Sequence, residues 1–136
     1  MSAAALRLAV RKRARSRCEY CRLPDLLPHL VRFQLEHIQA KRHAGPTTLT
    51  NLAWSCPRCN ERKGTNLSAI DPDTNRTARV FNPRRDNWTR HFVCEGLHIR
   101  GMTVVGRATG WLLEFNSEER LKLREGLDKL GLWVPV

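Results

Sequence analysis

The sequence predicts an α+β fold that is held together by a metal site made of four cysteines. Three observations lead to this prediction. Two Cys-x-x-Cys pairs, Cys18/Cys21 and Cys56/Cys59, are separated by 34 residues. Short segments of alternating apolar and polar residues follow the first pair and recur near residue 100, as is typical of strands. Segments with apolar residues at helical spacing lie near both ends of the chain.

The size and charge of the chain limit the classes of protein to which it can belong. Its 136 residues suffice for one ordinary domain, or for a compact motif with an extension. No apolar run approaches the roughly 18 residues that a membrane span needs, which excludes an integral membrane protein. The net charge is +11, with +12 on residues 1–110 and −1 on residues 111–136. We expect a polyanionic partner, most often nucleic acid, although basic residues can also serve solubility alone.

The N-terminal segment, residues 3–17, predicts an amphipathic basic helix. Its apolar face repeats at every fourth residue, at Leu6, Val10 and Ala14. A neighbouring stripe has the same spacing and consists of Arg7, Arg11 and Arg15. This stripe faces either phosphate or solvent. The segment lacks the long apolar run of a secretory signal, so we expect a cytoplasmic protein with reduced cysteines.

Between and after the cysteine pairs, the pattern predicts a strand over residues 31–38 and a polar loop over residues 41–50. A short apolar segment follows at residues 51–54, and a helix begins near Asn60 and ends at Gly64. Residues 71–87 have no periodicity and predict a long loop.

The last third of the chain predicts a small extension. Two alternating stretches, around Leu97/Ile99 and Met102/Val104, indicate short strands in a hairpin. Ser117 can cap a final helix that ends at Gly131. The predicted core face of that helix consists of Leu123, Leu127 and Leu130.

The two cysteine pairs predict a structural zinc site. Two residues between cysteines let a tight turn direct both sulfurs at one ion about 2.3 Å away, and two such turns complete a tetrahedron. Disulfides and unliganded thiols are the alternatives. With four protein ligands the zinc has no open position for catalysis, so its contribution is to folding. Cys94 lies outside the pairs in an apolar context and predicts a small core residue.

The segment between the pairs and the start of the following helix carry a recognisable pattern. It reads Leu35-Glu36-His37-Ile38, then a Gly-containing loop up to Asn51-Leu52, then Cys59-Asn60-Glu61-Arg62-Lys63-Gly64. This order resembles the HNH endonuclease family in its four-cysteine form, over about residues 17–67. The final motif position is Asn60 instead of the family's His, and the acidic position is Glu36 instead of the commoner Asp.

The resemblance implies a ββα-metal (His-Me finger) core stapled by a four-cysteine zinc site, with an N-terminal helix and a C-terminal strand-helix extension. It also implies metal-dependent cleavage of DNA phosphodiester bonds, with His37 as general base and Asn51 bracing the loop. Glu36 and Asn60 match the ligands of one catalytic cation, and their oxygens suit Mg²⁺ or Mn²⁺. Glu36 and His37 are consecutive, however, so in a regular strand they face opposite sides, and both can serve one site only where the strand ends or bends.

The prediction for partners is DNA, double-stranded by preference, with no membrane and an undetermined oligomeric state. Residues expected to contact phosphate are Lys41, Arg42, Lys63, Arg84 and Arg85. His43 is either a helper at the site or a surface histidine.

The expected organisation is a nuclease domain at residues 1–70 and an extension at residues 71–136 packed on it. Two alternatives stay open: a zinc-stabilised DNA-binding module that does not cleave, and a nuclease that acts on RNA with the same site.

Overall fold

The computed structural model describes residues 1–135, which form two compact units, Met1–Thr65 and the described residues from Asn66 onward. Both helices and short antiparallel strands are present, which confirms the predicted α+β class. Each unit is described by itself below. The expectation that the extension packs on the nuclease core stays a prediction.

The first unit begins with helix α1, Ala3–Arg13, which the Ser2 hydroxyl caps by accepting a hydrogen bond from the Ala5 amide at 3.1 Å. Val10 is its fully buried residue, as its place on the apolar face predicts. The basic stripe serves the fold in part, since the Arg7 guanidinium lies 4.5 Å from the centre of the Trp54 ring.

A hairpin and a helix form the centre of this unit in the predicted ββα order. Strand β1, Gln34–His37, pairs antiparallel with strand β2, Leu52–Ser55, so that Glu36 lies opposite Ala53 and His37 opposite Leu52. Helix α2, Pro57–Lys63, follows β2 directly and begins after the second cysteine pair opens. The strand that the sequence predicted over residues 31–38 is thus shorter than expected.

The connection between β1 and β2 is ordered by two 3₁₀ turns, Lys41–His43 and Leu49–Asn51. Gly45 lies between them against the backbone, and a Cβ atom there would stand 1.7 Å from the carbonyl oxygen of Gln39. The close approach explains the glycine in this loop, because any side chain would displace the chain that follows His37.

The described residues of the second unit form two hairpins and three helices. Its elements in chain order are β3 (Ser68–Ile70), β4 (Thr77–Arg79), α3 (Trp88–His91), β5 (Phe92–Glu95), β6 (His98–Gly101), α4 (Val104–Leu112) and α5 (Glu118–Lys129). Strand β3 pairs antiparallel with β4, and β5 pairs antiparallel with β6. Aromatic rings that contact one another fill its core, namely Phe81, Trp88, Phe92 and Phe115.

The structure corrects three predictions in this unit. Residues 71–87 are not one long loop, because they include strand β4 and helix α3 begins directly after them. The second hairpin lies earlier than expected, because Thr103 accepts a hydrogen bond from the Gly106 amide and thereby starts helix α4 where a strand was predicted. Cys94, predicted to be a small core residue, is only half-buried in β5.

The final helix is capped by Ser117 as predicted, yet it buries a different face. Leu123 and Leu130 are exposed, whereas Arg120 and Arg124 are buried. The Arg120 guanidinium donates to the carbonyl of Leu113 at 2.6 Å, and that of Arg124 donates to the carbonyls of Leu97 and Phe115. Hydrogen bonds to backbone carbonyls of the β5–β6 turn and of the segment after α4 therefore accompany the burial of this side of α5.

Over the part of the chain that the structure describes, no helix is both long enough and apolar enough to cross a membrane.

Candidate active site and metal centre

The four paired cysteines come together as predicted. Their sulfur atoms all lie within 4.8 Å of one another and all four residues are buried. The Cys21 and Cys56 sulfurs are 3.7 Å apart, close to the distance of about 3.8 Å between two sulfurs that bind one tetrahedral zinc at 2.3 Å. The cluster therefore fits a structural metal ion such as zinc.

Backbone amides donate hydrogen bonds to two of the cysteine sulfurs, which favours their thiolate form. The Cys21 amide donates to the Cys18 sulfur at 3.5 Å, and the Cys59 amide donates to the Cys56 sulfur at 3.4 Å. Burial raises the pKa of the Cys59 thiol well above its ordinary value. A bound cation offsets that effect, because it stabilises the thiolates that coordinate it.

His37 ends strand β1 with its ring half-exposed. Its Nε2 atom lies 2.9 Å from the Thr47 hydroxyl in the loop that follows. Burial lowers the pKa of the His37 imidazole below 6.5, and the positive charges of Lys41 and Lys63 lower it further. The neutral imidazole is therefore the predominant form at pH 7, which is the form that can accept a proton.

Asn51 fixes the chain just beyond His37. Its amide oxygen accepts from the Gln39 amide at 2.9 Å, and its amide nitrogen donates to the carbonyls of Gln39 and Pro46, both at 2.9 Å. The Asn51 carbonyl also accepts from the Ile38 amide. These bonds tie the two ends of the loop together, which is the arrangement that the bracing role of Asn51 requires.

Glu36 is placed differently from the catalytic-ligand role that the sequence suggested. It is 3% exposed, and one carboxylate oxygen binds the Lys63 ammonium at 2.7 Å while the other accepts from the Tyr20 hydroxyl at 2.6 Å. Because β1 stays regular through His37, Glu36 faces the interior and His37 faces the opposite side. The buried and paired Glu36 carboxylate is therefore not placed to bind a catalytic cation, contrary to the sequence-based expectation.

Lys63 requires a second correction. It lies at the end of α2 and is 1% exposed, so it does not face phosphate. Its ammonium donates to the carbonyls of His37 and Ile38, at 3.2 and 2.9 Å, besides its ion pair with Glu36. A single helical turn separates it from Asn60, which is half-buried.

The other predicted phosphate contacts lie in two places. Lys41 and Arg42 are exposed in the 3₁₀ turn after β1, together with His43. Arg84 and Arg85 belong to the second unit, where Arg84 is half-buried and Arg85 is exposed. The structure thus brings Lys41 and Arg42 into the same loop as Thr47, the partner of His37.

Sequence reasoning missed two residues at this site. Thr47 was part of an unremarkable polar loop, and no signal in the sequence singles it out. Tyr20 is the chain's one tyrosine and stands inside the first Cys-x-x-Cys pair. That position, together with an acidic residue before His37 and a lysine three residues after Asn60, was a signal that could have indicated a buried polar contact.

The predicted donor set for a catalytic cation does not fit as expected, because the Glu36 carboxylate is occupied by Lys63 and Tyr20. Among the described residues, the four cysteines are the cluster of histidine, cysteine or acidic side chains that lie close enough together to bind one metal ion.

Comparisons with known proteins agree with this site. The family model described as HNH endonuclease matches residues 18–66, which include both cysteine pairs, the hairpin and α2, and it confirms the resemblance. The chain is 28% identical over 121 residues to the Septu protein PtuB of Bacillus thuringiensis. That alignment covers 85% of this chain and 43% of the relative, so the chain spans less than half of the relative's length. No solved structure is significantly similar to the chain.

Proposed function

We propose, from the match of residues 18–66 to the HNH endonuclease family, that this protein is a nuclease that hydrolyses phosphodiester bonds in DNA. The observation that carries the proposal is His37, a half-exposed imidazole whose lowered pKa keeps it neutral and whose ring is oriented by Thr47. The family match implies a nucleic-acid substrate and a divalent cation. The finer assignments to DNA and to Mg²⁺ or Mn²⁺ are part of the proposal, as is a cytoplasmic location.

In this mechanism His37 removes a proton from the attacking water. Its Nε2–H donates to the Thr47 hydroxyl, at the observed 2.9 Å, and the lone pair of Nδ1 is then the base. The water oxygen forms a bond to phosphorus and the bond to the leaving oxygen breaks. Asn51 keeps the loop that carries Thr47 at a fixed distance from the end of β1, and we propose that Asn60 lies beside the phosphate.

Binding of the substrate rests on charge. Lys41 and Arg42 extend from the loop next to His37, and residues 1–110 carry a net charge of +12 that attracts a phosphate backbone. We propose Lys41, Arg42, Arg84 and Arg85 as phosphate contacts, with Lys63 excluded because it is buried. One such site cuts one strand, so the expected product is a nick.

The test is relaxation of supercoiled plasmid by the zinc-loaded protein with Mg²⁺ or Mn²⁺, comparing the wild type with His37→Ala. His43→Ala is the matched control, because His43 is an exposed histidine in the adjoining loop. Loss of a general base lowers the rate by about 10²–10⁴-fold, and the control is expected to retain activity. Cleavage that His37→Ala leaves unchanged would contradict the assignment of the base.

Two further outcomes separate the alternatives. Tight DNA binding without cleavage, by a protein with full zinc content, would favour a binding module. Cleavage of an RNA of matched sequence in preference to the DNA would favour a ribonuclease, since a site that activates water and phosphate need not contact the sugar.

A further inference from the structure

We propose that Tyr20, Glu36 and Lys63 are positioning residues for His37, and that they link its place in the strand to the four-cysteine cluster. The inference rests on the proposed role of His37 as general base. It assigns to Glu36 the function of a buried anion inside the core. None of the three residues contacts the substrate.

The network joins three buried side chains through short polar contacts. Both Glu36 oxygens are engaged, one by the Lys63 ammonium at 2.7 Å and one by the Tyr20 hydroxyl at 2.6 Å. Lys63 has three donors, and they match three acceptors, namely Glu36 and the carbonyls of His37 and Ile38. Because each charge is buried and would be strongly destabilised without its partners, the arrangement permits little variation in geometry.

The two carbonyls that Lys63 binds belong to the end of β1, where His37 leaves the sheet. From the other side, the Asn51 carbonyl accepts from the Ile38 amide, and the Asn51 side chain binds both backbone groups of Gln39. The segment 37–39 is therefore held from α2 and from the loop at the same time. Removing Lys63 would leave the α2 side of this segment without its donors.

The same network joins the cysteine cluster to His37. Tyr20 stands between Cys18 and Cys21 in the first pair, and Lys63 ends the helix that starts at the second pair. Each cysteine pair thus contributes one partner to Glu36. A change in the cluster, such as loss of its metal, is expected to reach His37 through these two contacts.

The experiment compares Lys63→Met with the double variant Lys63→Met/Glu36→Gln in the full-length zinc-loaded protein. The single variant leaves a buried carboxylate uncompensated, so we expect it to destabilise the first unit. The double variant removes both charges and keeps an acceptor for Tyr20, and such replacements of a buried pair restore stability. Lys12→Met is the control, because Lys12 is an exposed lysine of the same unit.

The readout is the ¹H–¹⁵N spectrum of the histidine rings, assigned with His37→Ala, together with the thermal midpoint. We expect the double variant to regain most of the thermal midpoint that Lys63→Met loses, while its His37 ring signals remain shifted or broadened, because the donors to the two carbonyls are still missing. The control is expected to match the wild type in both. A double variant that regains the midpoint and the wild-type His37 signals would overturn the proposal, as would a Lys63→Met variant with unchanged His37 signals.

Cleavage assays complete the test and separate it from the proposed function. If the protein nicks DNA, kcat of the double variant is expected to fall by about 10–10²-fold, the effect of a misplaced catalytic group, with KM unchanged. An unchanged kcat would overturn the positioning role. If the protein does not nick DNA at all, the nuclease proposal fails, whereas the ring spectra still decide whether the network positions His37.

Discussion

The two units of this protein are similar in length but are stabilised by different means. The interior of the first unit contains many polar groups, including the four cysteines and the Glu36–Lys63 ion pair. The interior of the second unit is mainly aromatic, with ring centroids 5.1 to 5.5 Å apart around Phe92, and its one buried carboxylate among the described residues, Asp71, pairs with the half-buried Arg107 at 3.0 Å. Its buried arginines bind backbone carbonyls.

This difference matches the residues that each unit contains. About 65 residues bury too little apolar surface for a large margin of stability, so a small domain needs additional crosslinks. The second unit gains its stability from large rings. The first unit keeps a polar, exposed strand end at His37, and a metal site with a buried ion pair supplies the rigidity that packing alone does not. The predictions below test this contrast, from the largest expected effect to the smallest.

Removal of the metal is expected to unfold the first unit and leave the second folded. Structural zinc contributes about 10–16 kcal/mol in small zinc-finger peptides at pH 7. The indole signals of the tryptophans report on both units, because Trp54 belongs to the first and Trp88, Trp111 and Trp133 belong to the second. After chelation, only the Trp54 signal should move to its unfolded position.

Cysteine substitutions provide the control for that experiment. Cys59→Ser should lower the zinc content, whereas Cys94→Ser should retain one zinc per chain, because Cys94 lies outside the cluster. Joint loss of all four tryptophan signals on chelation would show that the two units do not differ in the way proposed.

Truncation of the aromatic core should destabilise the second unit and leave the first unit unchanged, the reverse of metal removal. Phe92→Ala removes a ring that is 1% exposed and contacts three others, and we expect a loss of about 3–5 kcal/mol in the free energy of unfolding of the second unit. Zinc content and the Trp54 signal should not change. Leu123→Ala is the control, because Leu123 is half-exposed and should have little effect in a denaturant titration.

The pH dependence of cleavage should reflect the charges around His37. Because the pKa of His37 is lowered, activity should rise with pH through a midpoint below 6.5 and then stay level while the imidazole is neutral. Removing a positive neighbour favours the imidazolium, so Lys41→Gln should raise that pKa and move the midpoint to higher pH. Titration of the His37 ring signals measures the shift, and a movement to lower pH would contradict the assigned cause.

The smallest effect is expected at the surface of α5. Lys122 and Glu118 form an exposed ion pair at 3.1 Å, four residues apart. Lys122→Ala should change the free energy of unfolding by no more than about 0.5 kcal/mol, since exposed pairs gain little in water. Equilibrium unfolding in urea at low and high salt measures it. A change as large as that of Phe92→Ala would mean that α5 contributes far more than its exposure indicates.

Several features could be predicted from the sequence because they depend on near neighbours. The two Cys-x-x-Cys turns and the helix cap at Ser117 arise within a few residues, and the structure has both. The ββα order followed from the family resemblance, and the structure has it as well. The hairpin at residues 68–79 was missed, because its strands of three residues each carry no clear alternation.

Other features depend on partners that are distant in the chain. The sequence determined that Glu36 and His37 face opposite sides of a strand, since side chains alternate. It could not determine which of them faces inward. Tertiary structure decided this through Tyr20 and Lys63, which lie 16 and 27 residues from Glu36 and supply the two donors that a buried carboxylate requires.

The same physical reason applies to helix α5. Its spacing predicted a leucine face, and the structure instead buries Arg120 and Arg124, where the Arg124 guanidinium donates to the carbonyls of Leu97 and Phe115. The sequence alone thus determined the four-cysteine site, the α+β class and the resemblance to HNH endonucleases, because residue types at characteristic spacings identify each of them. Tertiary structure alone decided which polar groups are buried, because that depends on hydrogen-bond partners from other elements.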